Sequence, residues 1–443
     1  MWNLDRYLLL LILPVSSILR NMLTGNRRSL QQCATPSKSA GKIRGEGYVT
    51  VVPSQTFVRE GTKAKLKRGI IPVLDLFCGV GGFSYGFEQT GKFQSVCGVD
   101  LLPDRIETFS ANHPAAKVVC ADIRNVDIAG LCSGCPAPEV IIGGPPCQGF
   151  SSVRPFRASE ECDSRNNFFE YFAAAVDNLR PSWFVMENVV GILTHQKGAT
   201  LERLLAEFKS IGYRLSWKIL NGVFYGLPQR RERFILVGSR DAKDFPWPEP
   251  THFIDGIQSR AGRRGQNHEV ALSDGSGLKK ANSVMDAIQD LPPVTAGESA
   301  TKYKAGVRLT DYAKCMRGEC RTLTLHSATK HSAEMLEVIK HAGQSKAALP
   351  DGLVTSGFSS CYSRLEPDLP AVTLTVNFVH PSSNKCIHPY QHRALTPREG
   401  ARLQSFPDDF QFVGPRSQII KQIGNAVPPL MGRVIAESLA RVL

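Results

Sequence analysis

Residues 71–87, Ile-Pro-Val-Leu-Asp-Leu-Phe-Cys-Gly-Val-Gly-Gly-Phe-Ser-Tyr-Gly-Phe, decide the fold. An apolar run, Ile71–Phe77, meets a cluster of glycines at 79, 81 and 82. A short apolar run stopped by glycine reads as a strand whose tight turn opens a helix. Glycines at such a turn let the backbone approach a cofactor closely. Many nucleotide folds share a Gly-rich first turn, so this stretch alone names no ligand.

Working outward, further apolar runs end at a Gly, Pro or acidic residue: Ser95–Val99, Lys117–Cys120, Glu139–Ile142, Trp183–Met186 and Phe234–Val237. Helical patterns lie between them, at Asn167–Asn178 and at Leu201–Ile211, the latter apolar at 201, 204, 205, 208 and 211. This alternation predicts an α/β fold with a doubly wound parallel sheet. Past residue 240 the rhythm is lost in Pro-, Gly- and Ser-rich patches, which predicts a second, smaller and irregular domain over 241–392. It returns near the end, where Leu430, Val434, Ile435, Leu439 and Val442 make one face of a closing helix. The domains expected are therefore 69–240, 241–392, and a segment 393–443 that returns to the first.

A length of 443 residues suits two domains, and 42% hydrophobic with 21% charged residues is a globular composition. Twelve irregularly spaced cysteines read as reduced thiols, and no metal-ligand spacing is present, so no metal is expected. The net charge is +13, of which +9 falls within residues 1–70. That suits a polyanionic partner without making the body of the protein a basic glove. No apolar run reaches membrane-spanning length. The apolar stretch Tyr7–Leu19 resembles a short signal core, but Asp5 spoils its basic flank. Residues 1–68 are read as a disordered basic arm ending in a charged linker over 46–68. An over-extended start or a targeting segment for the nucleus or an organelle is the alternative.

In open parallel sheets ligands sit beyond the carboxyl ends of the strands, which turns the strand list into a site list. Asp100 closes the second run, where an acid can bond ribose hydroxyls, and Asp122 follows the third, within reach of an adenine edge. With the Gly79–Gly82 turn they indicate an adenosine-containing cofactor. After the fourth run, Gly143-Gly-Pro145-Pro146-Cys147-Gln-Gly-Phe-Ser151 sets a cysteine on a loop stiffened by two prolines, and the next run ends Met186-Glu187-Asn188-Val189. A thiolate beside a proton-donating acid suits nucleophilic addition to an electron-poor ring.

These segments resemble the ordered motifs of the cytosine-C5 DNA methyltransferases, which use S-adenosyl-L-methionine. The resemblance continues through Gly226-Leu-Pro-Gln229-Arg-Arg231-Glu-Arg233, Arg393–Glu399, Arg402–Pro407 and Gln422-Ile-Gly-Asn425-Ala-Val-Pro-Pro429, covering 71–240 and roughly 370–443. It implies a Rossmann-like methyltransferase sheet with 241–392 as target-recognition domain. It also implies roles: Phe77 stacks on the adenine, Asp100 holds the ribose and Asp122 bonds the adenine amino group. Gly79, Gly81, Gly82 and Pro145 face the cofactor, and Asn425 completes its pocket. Cys147 attacks cytosine C6, Glu187 bonds the ring N3 and amine, Arg233 reaches the ring carbonyl oxygen, and Arg231 supports the nucleophile loop. The thiol of Cys78 is read as packing only.

The implied substrate is a cytosine flipped from double-stranded DNA. The implied setting is a compact bacterial modification enzyme, monomeric and cytoplasmic at the nucleoid, with a cognate restriction endonuclease as a possible partner. The rivals are a tRNA cytosine-C5 methyltransferase of the same fold, whose Cys-Phe-Thr tripeptide is missing here, and an inactive DNA-binding paralogue, which would lose the Pro-Cys or Glu-Asn-Val residues.

Overall fold

The computed structural model describes residues 56–62, 66–146, 168–254, 277–354 and 357–443, all within one compact unit. The arm up to residue 55 and Cys147 lie outside the described residues. The frame is an eight-stranded sheet: β1 (Phe57–Arg59), β2 (Ile71–Leu76), β3 (Phe93–Asp100), β4 (Lys117–Cys120), β5 (Val140–Gly143), β6 (Trp183–Asn188), β7 (Arg214–Asn221) and β8 (Glu232–Ser239). Their spatial order is β1-β4-β3-β2-β5-β6-β8-β7.

The middle five strands are parallel, as expected. The margins are not: β8 runs antiparallel to β6 and β7, and β1 antiparallel to β4, so the sheet is mixed. The central strands read as unbroken apolar runs because helices cover both faces. Leu74, Ile141, Phe184 and Met186 pack with α4 (Phe168–Leu179) and α5 (Ala199–Ser210). Val73, Val140, Ile142 and Val185 pack on the other face with α1 (Gly82–Glu88) and α11 (Pro429–Leu439). Two short helices complete this half, α2 (Pro103–Asn112) and α3 (Ile128–Leu131). Strand β7 escaped the sequence reading, although Leu215, Trp217 and Ile219 alternate with Arg214, Ser216 and Lys218 in the manner of a half-buried edge strand.

The expected linker also needs correction. Residues 57–59 pair with Val118–Cys120, so the fold begins before residue 69. The cause is an open edge: β4 would otherwise present unpaired backbone groups. Phe57 packs against the cluster of Ile106 and Phe109, and Arg59 Nη2 donates to Glu107 Oε1 at 3.0 Å.

The remaining chain forms a second core around α6 (Val284–Ile288), α7 (Asp311–Arg317), α9 (Pro397–Leu403) and α10 (Arg416–Asn425), with α8 (Ala333–His341) beside smaller clusters. The core does not change at the boundary expected at 392/393: Leu395, Leu403 and Ile423 pack with Val284 and Phe378. Phe245, Ile254 and Ala281 still pack with the sheet-side cluster, and the chain rejoins it from Val427 onward, where α11 packs with Phe83 and Phe87 on α1. Among the described residues no helix is long and apolar enough to cross a membrane.

Candidate active site

Strand order reverses between β2 and β5, and the crevice beyond their carboxyl ends is where such sheets bind ligands. Phe77 leaves β2 in a left-handed backbone conformation (φ 59°), with its ring edge-on to Phe168 at 5.8 Å. The turn after it is fastened from the next strand. Asp100 Oδ2 accepts the Gly79 N–H and Oδ1 the Leu102 N–H, both at 2.9 Å. Each oxygen keeps a further lone pair. Burial raises the Asp100 pKa against those bonds. Gly79 itself has φ 54°, and a Cβ there would enter open space, so bare backbone faces the crevice.

The cavity at this point is lined by Phe77, Gly79, Gly82, Glu187, Asn425 and Val427, among others. It thus joins one expected catalytic residue to four expected cofactor residues. Gly81, Asp100, Asp122 and Pro145 are not part of its lining. Asp100 stands behind Gly79. Asp122, just past the end of β4, caps a short turn: its carboxylate accepts the Arg124 backbone N–H at 3.0 Å and the Arg124 side chain at 2.5–3.0 Å. The hydrogen bonds from Arg124 lower its pKa.

Opposite the turn, β6 pairs antiparallel with β8 and sets Asn188 across from Phe234. Arg233, one residue earlier on β8, therefore reaches Glu187, its Nε donating to Oε1 at 2.7 Å. Both side chains are nearly buried, 13% and 12% exposed. The proline loop is tied to the same strand, since Asn188 Nδ2 donates to the Pro145 carbonyl at 3.2 Å. A Cβ on Gly144 would come within 3.2 Å of Glu187 Oε2, tighter than ordinary packing. The described chain stops at Pro146, one residue short of Cys147.

Arg231 is buried and has no carboxylate partner among the described residues. Its Nη1 donates to the Leu374 carbonyl at 3.2 Å and its Nη2 to that of Ala426 at 2.9 Å. Burial and the nearby Arg233 push its pKa well down. The contacts described for it thus run to Leu374 and to the end of α10, while Cys147–Ser151 of the loop it was expected to support lie outside the described residues.

Sequence reasoning missed several participants. Gln229 is fully buried and donates to the Leu403 carbonyl and Gln404 Oε1 while accepting the Leu374 N–H. Gln422 ties α10 to α2 through Thr108 and the Asp104 carbonyl. Asp75 lines the cavity, and burial pushes its pKa up to about 7 despite a 2.7 Å hydrogen bond from Ser84. A carboxyl inside an apolar run was the available signal for Asp75. The two glutamines stand inside motifs that carry the resemblance, which was their signal, but their partners lie far away in sequence.

The arrangement offers a backbone-lined adenosine slot next to a carboxylate–guanidinium pair able to grip a polar ring. Comparison with known proteins agrees with it. The family model for C-5 cytosine-specific DNA methylase matches residues 71–441. The type II methyltransferase M1.HphI of Haemophilus parahaemolyticus is 33% identical over 83% of this chain and 86% of its own length. M.AgeI of Thalassovita gelatinovora is 31% identical over 83% and 98%. Among solved structures, a prophage protein from E. coli described as a DNA modification methyltransferase superposes with a TM-score of 0.63 at 25% identity, covering 84% of this chain and 99% of its own. The Dnmt2 methyltransferase of S. pombe, at 17% identity and a TM-score of 0.52, shares the fold over 84% of this chain and 99% of its own. The chain therefore belongs to the C-5 cytosine-specific DNA methylases, enzymes that move a methyl group from S-adenosylmethionine to cytosine C5 in DNA.

Proposed function

We propose that the enzyme acts on a cytosine flipped out of a specific double-stranded site, with Cys147 as nucleophile and Glu187 and Arg233 as the groups that stabilise the activated ring. The observation that carries this reading is the Glu187–Arg233 pair: its Glu187 lines one cavity with the glycine turn, and the Pro145 loop leading to Cys147 is bonded to the Glu187 strand. Cytosine C5 is a poor nucleophile. Addition of the Cys147 thiolate at C6 pushes an electron pair toward C5, while Glu187 shares a proton with N3 and Arg233 meets the ring oxygen, where charge develops. C5 is methylated, its proton is taken by a base, and elimination across C5–C6 returns the thiolate. A base stacked in a duplex cannot reach these groups, hence the flip.

S-adenosylmethionine supplies the electrophilic methyl group when bound. The residues fit it: Gly79, Gly81, Gly82 and Pro145 bring backbone close, and Gly79 has open space where a side chain would stand. Phe77 offers a ring for the adenine, and the free lone pairs of Asp100 suit ribose hydroxyls. Asp122 would have to exchange part of its Arg124 contact to accept the adenine amino group, and Asn425 completes the pocket. Arg231 supports the site through the carbonyls it holds. Residues 241–392 read the DNA sequence. The type II methyltransferase relatives support a modification role; we extend it to a monomeric, cytoplasmic enzyme with a possible cognate restriction endonuclease.

Duplex DNA carrying 5-fluorocytosine at the target tests the assignment, because fluorine cannot leave as the C5 proton does. The parent enzyme should be trapped covalently and Cys147→Ser should not. Trapping by that variant at the parent level would remove Cys147 from the role.

A further inference from the structure

We propose that His113 is a positioning residue for the cofactor turn, an imidazolium that grips the Gly81 carbonyl with one nitrogen and Glu88 with the other. The inference rests on the reading that the Gly79–Gly82 turn binds S-adenosylmethionine. His113 follows the last residue of α2, and its ring is buried. Nδ1 lies 2.8 Å from Glu88 Oε2 and Nε2 lies 3.1 Å from the Gly81 carbonyl oxygen. Neither oxygen brings a hydrogen. A carbonyl has none, and the Glu88 carboxylate is already an acceptor, taking the Ser95 N–H at 2.9 Å. A neutral imidazole has a single N–H and can satisfy only one of the two. Both bonds together require the doubly protonated ring.

The fit between ring and turn is close. Gly81 has φ 83°, and a Cβ there would fall 2.4 Å from His113 Nε2, so the ring occupies the space any side chain would need. Glu88 is the last residue of α1, the helix that Gly81 caps, and an acid at a helix C-terminus opposes the macrodipole. The cation offsets that cost and closes a loop from Gly81 through α1 to Glu88 and back across the ring. Three other groups face this cluster. The Tyr85 ring lies 6.3 Å away, the charge of His113 acts on buried Asp75, and Lys67 shares a surface hollow with Glu88 and His113. Without the ring the Gly81 carbonyl and Glu88 both lose their shared partner, and the turn loses its hold.

Calorimetric binding of S-adenosylhomocysteine to the full chain tests this without any chemical step. His113→Ala removes both bonds and should raise the Kd about tenfold, as befits a lost charge-assisted hydrogen bond. His113→Gln keeps one amide donor for the Gly81 carbonyl and should recover part of that loss. In the parent, nitrogen NMR of the His113 ring should show a hydrogen on both nitrogens. Parent-like binding by His113→Ala, no recovery in His113→Gln, or a ring with a single N–H would each overturn the proposal. Asp100→Ala is the separate control for the cofactor turn: its loss of binding supports that reading whatever His113 does.

Discussion

From β2 to β8 the chain is joined by apolar strands, whereas from Val284 to Ile423 an apolar core is threaded by a network of buried ion pairs. In the first region Leu74, Ile141 and Phe184 are wholly buried, and neighbouring strands supply each other's backbone partners. In the second, Arg393, Arg398 and Arg402 are equally buried. Arg393 makes two bonds to Glu399, at 2.7 and 2.8 Å, and Arg398 reaches Asp408 at 3.2 Å. Arg402 bridges Asp408, at 2.7 Å, and Asp290. Tyr303 donates to the same Asp408, and Tyr312 to the Arg402 carbonyl. Strand pairing is a local, periodic property. A buried ion network is a set of long-range choices that only works complete, because removing one member strands the others.

The largest effect expected from this contrast is therefore the loss of a cation. Arg402→Met leaves Asp290 and Asp408 buried without it and should cost about 3–5 kcal/mol in denaturant unfolding. Phe184→Ala, in the sheet core, should cost a similar amount, about 3–5 kcal/mol, through its cavity. The two losses should differ in pH dependence. In the parent, Arg402 holds the Asp408 pKa below the ordinary carboxylate range despite burial, so its contribution is present at neutral pH and fades as pH falls through that lowered pKa. Without Arg402, Asp408 keeps Arg398 as its one cation among the described residues and takes up a proton more readily, so the deficit should shrink in acid. The Phe184 deficit should not. Equal pH dependence in the two variants would erase the distinction.

Asp75 sharpens the same contrast from the sheet side. Burial among strands pushes its pKa up to about 7, while burial beside Arg393 leaves Glu399 well below its ordinary value. The sign follows from proton counting. Below the ordinary value of 3.8 both folded and unfolded states hold the proton, and Asp75 costs nothing. As pH rises toward about 7 only the folded state holds it, so stability falls and stays lower above that pH. Asp75→Asn should thus be more stable than the parent by roughly 2–4 kcal/mol at about pH 8, and the gain should vanish below about pH 4. A gain that persists in acid would belong to packing, not to the carboxyl.

What could be read in the sequence follows the same divide. The five parallel strands were legible because each is an apolar run ended by a turn residue, and the strand ends then located Phe77, Asp100, Asp122 and Glu187. The pairing of Glu187 with Arg233 was not legible from spacing. It depends on an antiparallel register between β6 and β8, and the resemblance to a family supplied both residues instead. Nor could the helix start at Thr396, capped reciprocally by Glu399, reveal that Glu399 also neutralises Arg393. Nothing in the sequence singles out His113. Only the fold brings Gly81 and Glu88 to its two nitrogens.

The smallest effect concerns the margin of the sheet, where strand pairing is weakest. Strand β1 contributes three residues, Val58 is largely exposed, and the ion pairs Arg59–Glu107 and Lys117–Glu60 are on the surface, where such pairs add little. What remains is the half-buried Phe57 and one covered edge. Deleting residues 1–68 should therefore lower stability by about 1–2 kcal/mol, the partial burial of one aromatic plus a few backbone bonds. A chain beginning at residue 56 retains β1 and should match the parent in unfolding midpoint and in the DNA site it methylates. The longer deletion should keep that site too, since β1 lies at the sheet edge, beyond β4 and β3 from the β2–β5 crevice. The two truncations differ by little more than this strand, so comparing their unfolding midpoints isolates it. If they unfold alike, residues 57–59 revert to the linker that their composition suggested, and β4 tolerates an open edge.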